Sequence, residues 1–244
     1  MAPQLSTLIR WSLITALLLL ILTVAMELIS SPTVVTTAGV QAPVYLILFV
    51  LALLIYGWFA IFRTRVATRA AEGALQTGIL WGLLCAAAWV TELLVANVVS
   101  PEWGPLYLVL YYGSAFTGFL VPGLASFLVA VRSRHLLSGL QAGLLTGMMG
   151  ALAIFLASFL FSALLLHTGQ SDPQTLREFA HSGLPDLRTY IVGDYLPGMI
   201  AHLWIGLVTG FFLGLLGGLG GKAMTLSGNP SDAGFASSMN TFFV

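Results

Sequence analysis

The first apolar segment of the chain reads Leu13-Ile-Thr-Ala-Leu-Leu-Leu-Leu-Ile-Leu-Thr-Val-Ala-Met26. It carries no charge, and its central run Ala16–Leu22 is apolar on every side instead of at alternate positions. This pattern is typical of a membrane-spanning helix, since a spanning strand alternates apolar with polar residues. A helix also satisfies its own backbone polar groups, as hydrocarbon requires. The segment therefore predicts an all-α protein that is solvated by lipid.

The composition of the whole chain supports the same prediction. Of 244 residues only 7% are charged and 58% are hydrophobic, and the mean hydropathy is +0.97. So few charged groups cannot form the water-facing surface of a soluble domain of this length. The formal net charge is zero, so nucleic acid is not an expected partner. The expected main partner is the lipid bilayer.

Six segments are long enough to cross the bilayer, since a spanning helix needs about 20 mainly apolar residues. The spans predict one transmembrane domain over residues 1–224, and residues 225–244, rich in Ser, Gly, Asn and Ala, are expected to form a flexible tail. The predicted spans are Leu8–Ile29, Val44–Phe62, Ala74–Val99, Leu106–Val131, Gly139–Leu166 and Tyr195–Leu219.

Basic residues predict the orientation of these spans. Lys and Arg are concentrated at alternate connections, and the positive-inside rule places such connections in the cytoplasm. We therefore expect a multi-pass protein of the plasma membrane with both termini and the 225–244 tail in the cytoplasm. Arg177 and Arg188 are exceptions in the 168–194 segment, where acidic neighbours accompany them. The basic residues that set the orientation are Arg10, Arg63, Arg65, Arg69, Arg132, Arg134 and Lys222.

Two segments allow more than one interpretation. The first span resembles a signal peptide with Arg10 in its basic region, but Glu27 and Leu28 interrupt any small-residue cleavage pattern, so we expect it to remain uncleaved. The 168–194 segment is predicted as an extracytoplasmic loop. Within it, Ser171-Asp-Pro173 begins a short helix with Ser171 as the N-cap. An amphipathic connector is favoured for that helix over a lid above a cavity.

An internal repeat suggests a duplicated helical hairpin. Arg69–Gly82 aligns without a gap onto Arg134–Gly147, with identical Arg, Leu, Gln, Gly, Leu and Gly residues. The functional interpretation is that spans two and three are repeated as spans four and five, as occurs in some transporters. The alternative is independent use of a basic loop followed by a glycine-rich helix start.

Glycines recur every four residues along several spans. Such small-residue faces allow close approach of helices in lipid, so they predict tight helix packing and only weakly a subunit interface. Pro122 lies inside span four and is predicted to kink it, because proline removes a backbone hydrogen bond. The predicted helix-packing glycines are Gly78, Gly82, Gly143, Gly147, Gly206, Gly210 and Gly214.

Three ionisable residues within spans are candidates for binding a substrate or ion, because charge inside hydrocarbon is costly. Glu92 and His202 are expected at similar depth, and Glu27 lies nearer the surface. A Glu–His pair could relay protons, bind a cation or hold a charged group; a structural hydrogen bond is the alternative. No cofactor is predicted, although His202, flanked by Gly198 and Gly206, leaves single-histidine tetrapyrrole binding as an alternative.

Familiar catalytic and metal-binding patterns fail on inspection, so no catalytic residue and no metal site are predicted. Gly217-Gly-Leu-Gly-Gly-Lys222 lacks the first glycine and the final Ser or Thr of a phosphate-binding loop. Cys85 has no second cysteine as a partner and is expected to pack as a small hydrophobic residue.

The favoured function is a transport-related or channel-like component that acts with other membrane subunits or as a homo-oligomer. A non-catalytic structural or assembly subunit is the main alternative, and an intramembrane enzyme using Glu92 and His202 is the least favoured.

Overall fold

The computed structural model describes residues 2–34, 41–64, 69–98, 104–160, 170 and 172–226. These residues form seven α-helices and one π-helical segment, Phe59–Arg63, and contain no strand. The α-helices are α1 (Ala2–Ser30), α2 (Gln41–Trp58), α3 (Arg69–Val98), α4 (Pro105–Ser133), α5 (Leu136–Leu160), α6 (Pro173–Ser182) and α7 (Leu187–Leu226).

The six long helices carry large apolar side chains on their outer faces. Ile29 is 80% exposed, Val109 68% and Phe116 67%. In water such surfaces would drive association, whereas in a bilayer lipid tails cover them. All six helices are long and apolar enough to cross a membrane. The protein is therefore an all-α, multi-pass membrane protein, as the sequence predicts.

Four helices form a tightly packed core, and two lie at its side. Helices α4 and α5 contact each other and both α3 and α7 extensively, while α1 and α2 have far fewer contacts. Helix α5 lies at the centre. In its most apolar 18-residue stretch 67% of the residues are buried, against 22% in the corresponding stretch of α1. Because α1 and α2 expose most of their surface, they form a peripheral pair attached to the four-helix core.

Opposite charges mark the two ends of the bundle. At one end, here called the basic end, Arg10 Nε donates to Thr64 Oγ1 (3.3 Å) and Gln141 Nε2 donates to the carbonyl oxygen of Arg63 (2.6 Å). At the other, here called the loop end, Arg188 of α7 forms an ion pair with Glu27 of α1. Helix α6 and the acidic residues Asp172, Glu178, Asp186 and Asp194 lie along the chain near this loop end.

Helices α5 and α7 approach each other at glycine positions. A Cβ atom added to Gly147 would lie 2.3 Å from the carbonyl oxygen of Gly206, and one added to Gly143 would lie 2.8 Å from the Cα of Gly214. Neither position has room for a side chain without movement of the opposing backbone. The remaining predicted glycines also face neighbouring helices: Gly78 faces Leu145, Gly82 faces Met149, and Gly210 faces Leu144.

Helix α4 continues through Pro122 without interruption. Since proline has no backbone N–H, the carbonyl oxygen of Gly118, four residues earlier, loses its ordinary helical donor. The thiol of Cys85 on α3 donates to this oxygen at an Sγ···O distance of 3.4 Å. Cys85 is fully buried, so it packs as a small residue and also satisfies a carbonyl that Pro122 leaves free.

The two copies of the internal repeat pack differently. Helix α4 lies against α5 over much of its length, whereas α2 contributes little to the packing of α3 among the described residues. Gln141 is buried and hydrogen-bonded, but its counterpart Gln76 is exposed. The duplication stays a prediction, because the repeated residues do not occupy equivalent surroundings.

The boundaries of the last helices differ from the prediction. Helix α7 begins at Leu187, eight residues before the predicted start at Tyr195, and it continues through Pro197. Asp186 explains the earlier start, because its carboxylate accepts hydrogen bonds from the Thr189 backbone N–H (2.8 Å) and hydroxyl (2.7 Å) and so caps the helix. Asp172 accepts the same two bonds from Thr175 at the start of α6. The predicted cap Ser171, the end of span five and the tail beyond residue 226 lie outside the described residues.

Candidate functional site

Glu92 and His202 lie at similar depth within the bundle. Near the loop end, the hydroxyl of Tyr195 on α7 donates to the Asn97 side-chain oxygen on α3. Glu92 lies five residues from Asn97, and His202 lies seven residues from Tyr195, and both offsets run away from the loop end. At ~1.5 Å per residue they lie ~8 and ~10 Å below that hydrogen bond. The two side chains therefore belong to one level of the membrane-spanning region.

Two aromatic side chains lie near this pair. The rings of Trp89 and His202 meet edge to face with centroids 6.4 Å apart, and Tyr111 of α4 lies within electrostatic reach of Glu92, as does His202. His202 Nδ1 is 2.8 Å from the carbonyl oxygen of Gly198. Within the described part of the chain, the half-buried Glu92 carboxyl has no hydrogen-bond partner. We call Glu92, His202, Trp89 and Tyr111 the intramembrane cluster.

The intramembrane cluster has the groups needed to exchange a proton or to attract a cation. A carboxyl group lies within electrostatic reach of an imidazole and of a phenol. The described residues include no group of three His, Cys, Asp or Glu side chains suited to holding a metal ion. The expectation of no cofactor, and its alternative of tetrapyrrole binding at His202, stay untested.

Glu27 lies apart from the intramembrane cluster. Its Oε2 is 3.3 Å from an Arg188 guanidinium nitrogen, which also donates to Ser30 Oγ at 3.2 Å. The side chain of Arg188 is 49% exposed and that of Glu27 only 14%. The structure thus places Glu27 in a polar contact between α1 and α7, which positions the peripheral pair against the core.

A cavity of ≈ 670 Å³ lies at the loop end between the peripheral pair and α7. Its volume falls in the range typical of small-molecule sites, ~300–1,000 Å³. Polar contacts flank it. Glu27 of α1 pairs with Arg188, and Thr33, just beyond the end of α1, bonds to Thr189. On the side of α2 the contacts are Trp204–Leu48 and Tyr56–Leu203. We call this space the loop-end cavity. Its lining residues include Val24, Leu28, Gln41, Tyr45, Phe49, Tyr190, Gly193, Asp194, Leu196, Pro197 and Ile200.

Comparison of the chain with protein families, curated proteins and solved structures gives no match.

The loop-end cavity and the intramembrane cluster share helix α7. Asp194 lines the cavity and His202 belongs to the cluster, eight residues or ~12 Å further along the helix. The cavity does not include Glu92 or His202 among its lining residues. Sequence reasoning missed it because its walls come from helices far apart in the chain, α1 and α2 on one side and α7 on the other. The sequence contains one signal for it. Gly193-Asp194 followed by Pro197 places residues that weaken a helix at the start of a span.

Proposed function

We propose that the protein is a transport-related component of the plasma membrane that binds a small amphipathic molecule in the loop-end cavity and acts with a partner chain. The cavity carries this proposal. Its walls are mainly aliphatic and aromatic, with a few polar groups toward the loop end, and this distribution suits a ligand with an apolar body and a polar head.

The position of the cavity supports an exchange of ligand between bilayer and protein. One wall belongs to α1 and α2, which are loosely attached to the four-helix core. The basic residues support an orientation with both termini in the cytoplasm, and the cavity then faces the outer side. The sequence has no complete phosphate-binding loop of its own, so a partner would supply the energy for uphill transport.

A substitution that fills the cavity tests the proposal. Gly193 lines the cavity, and a Cβ atom there would have no neighbour within 4 Å, so Gly193→Leu places a side chain in open space. The matched control is Gly113→Leu on the exposed side of α4, where the added Cβ also has no neighbour within 4 Å. Both changes raise helix propensity by a similar amount.

We expect small amphipathic molecules to co-purify with the wild-type chain and with Gly113→Leu after gentle extraction from native membranes. Mass spectrometry should find them several-fold depleted in Gly193→Leu. Equal retention by all three proteins would contradict the proposal. A stoichiometric partner chain without any retained small molecule would instead support the alternative of an assembly subunit.

A further inference from the structure

We infer that the loop-end cavity selects an amphiphile with a positively charged amine head, an inference that rests on the proposed function and names its ligand class. Asp194 is the one formally charged side chain among the described lining residues. It is exposed, and its carboxylate has neither a hydrogen bond nor an ion pair with any described residue. A cationic group would complement this unpaired charge.

The nearby charges are already engaged. Glu27 is paired with Arg188, and Asp186 caps helix α7 through Thr189. Arg188, the basic residue closest in sequence to the cavity wall, is therefore directed to α1. This arrangement leaves Asp194 available to a ligand.

Two further groups next to Asp194 offer acceptors. Pro197 has no backbone N–H, so the carbonyl oxygen of Gly193 lacks its ordinary helical donor, and both residues line the cavity. The hydroxyl of Tyr190 donates its hydrogen to Glu178 Oε2 at 2.9 Å, which leaves only acceptor lone pairs on the phenol oxygen. A carboxylate, a carbonyl and a phenol oxygen together call for a ligand that donates hydrogen bonds, as a protonated amine does.

The rest of the cavity suits a hydrocarbon chain. Leu196 and Ile200 continue the wall formed by α7, and Val24, Leu28 and Phe49 contribute from the peripheral pair. From Asp194 to Ile200 the helix axis advances ~9 Å, so an amine at Asp194 would have its chain directed toward the membrane interior. The rings of Tyr45 and Tyr190 also line the space, and aromatic faces attract ammonium groups.

Binding of matched single-chain probes tests the inference on the full-length chain in maltoside micelles. Radiolabelled dodecylamine, dodecanoate and dodecanol share one chain and differ in the charge of the head. The variants are Asp194→Asn, the cavity-filling Gly193→Leu, and Glu72→Gln as a control that removes a carboxylate from α3 near the basic end. Empty micelles measure partition into detergent.

Dodecylamine should bind the wild-type chain at least several-fold more tightly than dodecanoate. Asp194→Asn should lower the affinity for dodecylamine by about fivefold. The effect is modest because the carboxylate is exposed and screened by solvent. The same substitution should leave the affinity for dodecanol unchanged. Gly193→Leu should lower the affinity of every probe that binds, and Glu72→Gln should lower the affinity of none.

Competition experiments identify the source of the amine. Competition by phosphatidylethanolamine but not phosphatidylglycerol would identify a lipid head group, and competition by free amines alone would identify a soluble amphiphile. Both results support the inference.

Equal binding of dodecylamine and dodecanoate, or an Asp194→Asn variant with unchanged amine affinity, would overturn the inference. The proposed function would survive that result if Gly193→Leu still weakened binding. If Gly193→Leu left every probe unaffected, the cavity would not be the binding site, and both proposals would fail.

Discussion

Glu92 places a carboxyl group inside a membrane-spanning helix, where an unpaired charge is costly. The structure brings it near His202, Trp89 and Tyr111 without a hydrogen bond to its carboxyl among the described residues. A residue whose polar group serves only to join helices would be expected to hold a bonded partner. Among the described residues, the Glu92 carboxyl therefore does not join two helices through a hydrogen bond, and its exchange of a proton or cation stays a prediction.

We expect Glu92→Gln and His202→Gln to be energetically coupled. If the two side chains interact, the free energy of unfolding of the double variant should depart from the sum of the single effects by about 0.5–1 kcal/mol. Reversible unfolding in mixed micelles measures these values. The control cycle pairs His202→Gln with Glu72→Gln, which lies far along α3 and should be additive. Additivity in both cycles would show that Glu92 and His202 do not interact.

At the scale of the helices, one hydrogen bond joins α3 to the proline-containing helix α4. The thiol of Cys85 donates to the Gly118 carbonyl that Pro122 leaves without its helical donor. The two residues therefore compensate for each other, although they belong to different helices. Such a pairing cannot be read from either helix alone.

Cys85→Ala should destabilise the protein by about 1 kcal/mol, since it leaves a buried carbonyl without a donor. In a Pro122→Ala background residue 122 regains its N–H, and Cys85→Ala should then cost measurably less. Thermal unfolding of the four proteins gives the comparison, with Cys85→Ser as the control that keeps a donor. An unchanged cost in the Pro122→Ala background would disprove the compensation.

The start of α7 depends on a charged cap and so should respond to pH. Hydrogen bonds from the backbone N–H of Thr189, which has the larger effect, and from the Thr189 hydroxyl hold the pKa of Asp186 below its ordinary value. A lowered pKa means that the ionised carboxylate stabilises the folded state above the ordinary aspartate pKa of about 3.9. This contribution is lost as the pH falls through the lower pKa of the folded state.

Replacing the cap tests this pH dependence. Asp186→Ala should cost about 1 kcal/mol at neutral pH, and Asp186→Asn should keep a neutral cap. The difference in unfolding free energy between wild type and Asp186→Asn should then be constant near neutral pH and shrink in acid below about pH 4. Parallel pH profiles for the two proteins would show that the carboxylate makes no such contribution.

At the scale of the whole molecule, charge differs between the two ends. The basic end carries Arg10, Arg63, Arg132 and Arg134, and the loop end carries most of the described acidic residues. The positive-inside rule relates this asymmetry to orientation. In the proposed function, with both termini in the cytoplasm, the loop-end cavity opens on the outer side of the membrane.

Cysteine labelling should reveal which end faces the cytoplasm. His135, at the basic end, and His181, at the loop end, are both exposed, and the native Cys85 is fully buried. In intact cells a membrane-impermeant maleimide should label His181→Cys and not His135→Cys, while permeabilised cells should show both. Labelling of His135→Cys alone in intact cells would reverse the orientation.

The sequence predicts the number and class of helices well, because span length and charge exclusion are local properties of segments such as Leu13–Met26. It also predicts the shared depth of Glu92 and His202, which requires only counting along helices. The early start of α7 is harder to predict, since Arg188 and Asp194 make its first turns resemble a loop. The loop-end cavity and the Cys85–Gly118 bond depend on which helices become neighbours, and no periodicity encodes that.

The attachment of the peripheral pair has a consequence for biosynthesis. Tyr56 of α2 donates to a carbonyl of α7, Trp204 of α7 donates to a carbonyl of α2, and Glu27 of α1 is paired with Arg188 of α7. The ribosome makes α1 and α2 well before α7, because synthesis proceeds from the N-terminus. The first two helices therefore enter the bilayer before the α7 groups that form these polar contacts have been made. The loop-end cavity is completed only when α7 leaves the translocon.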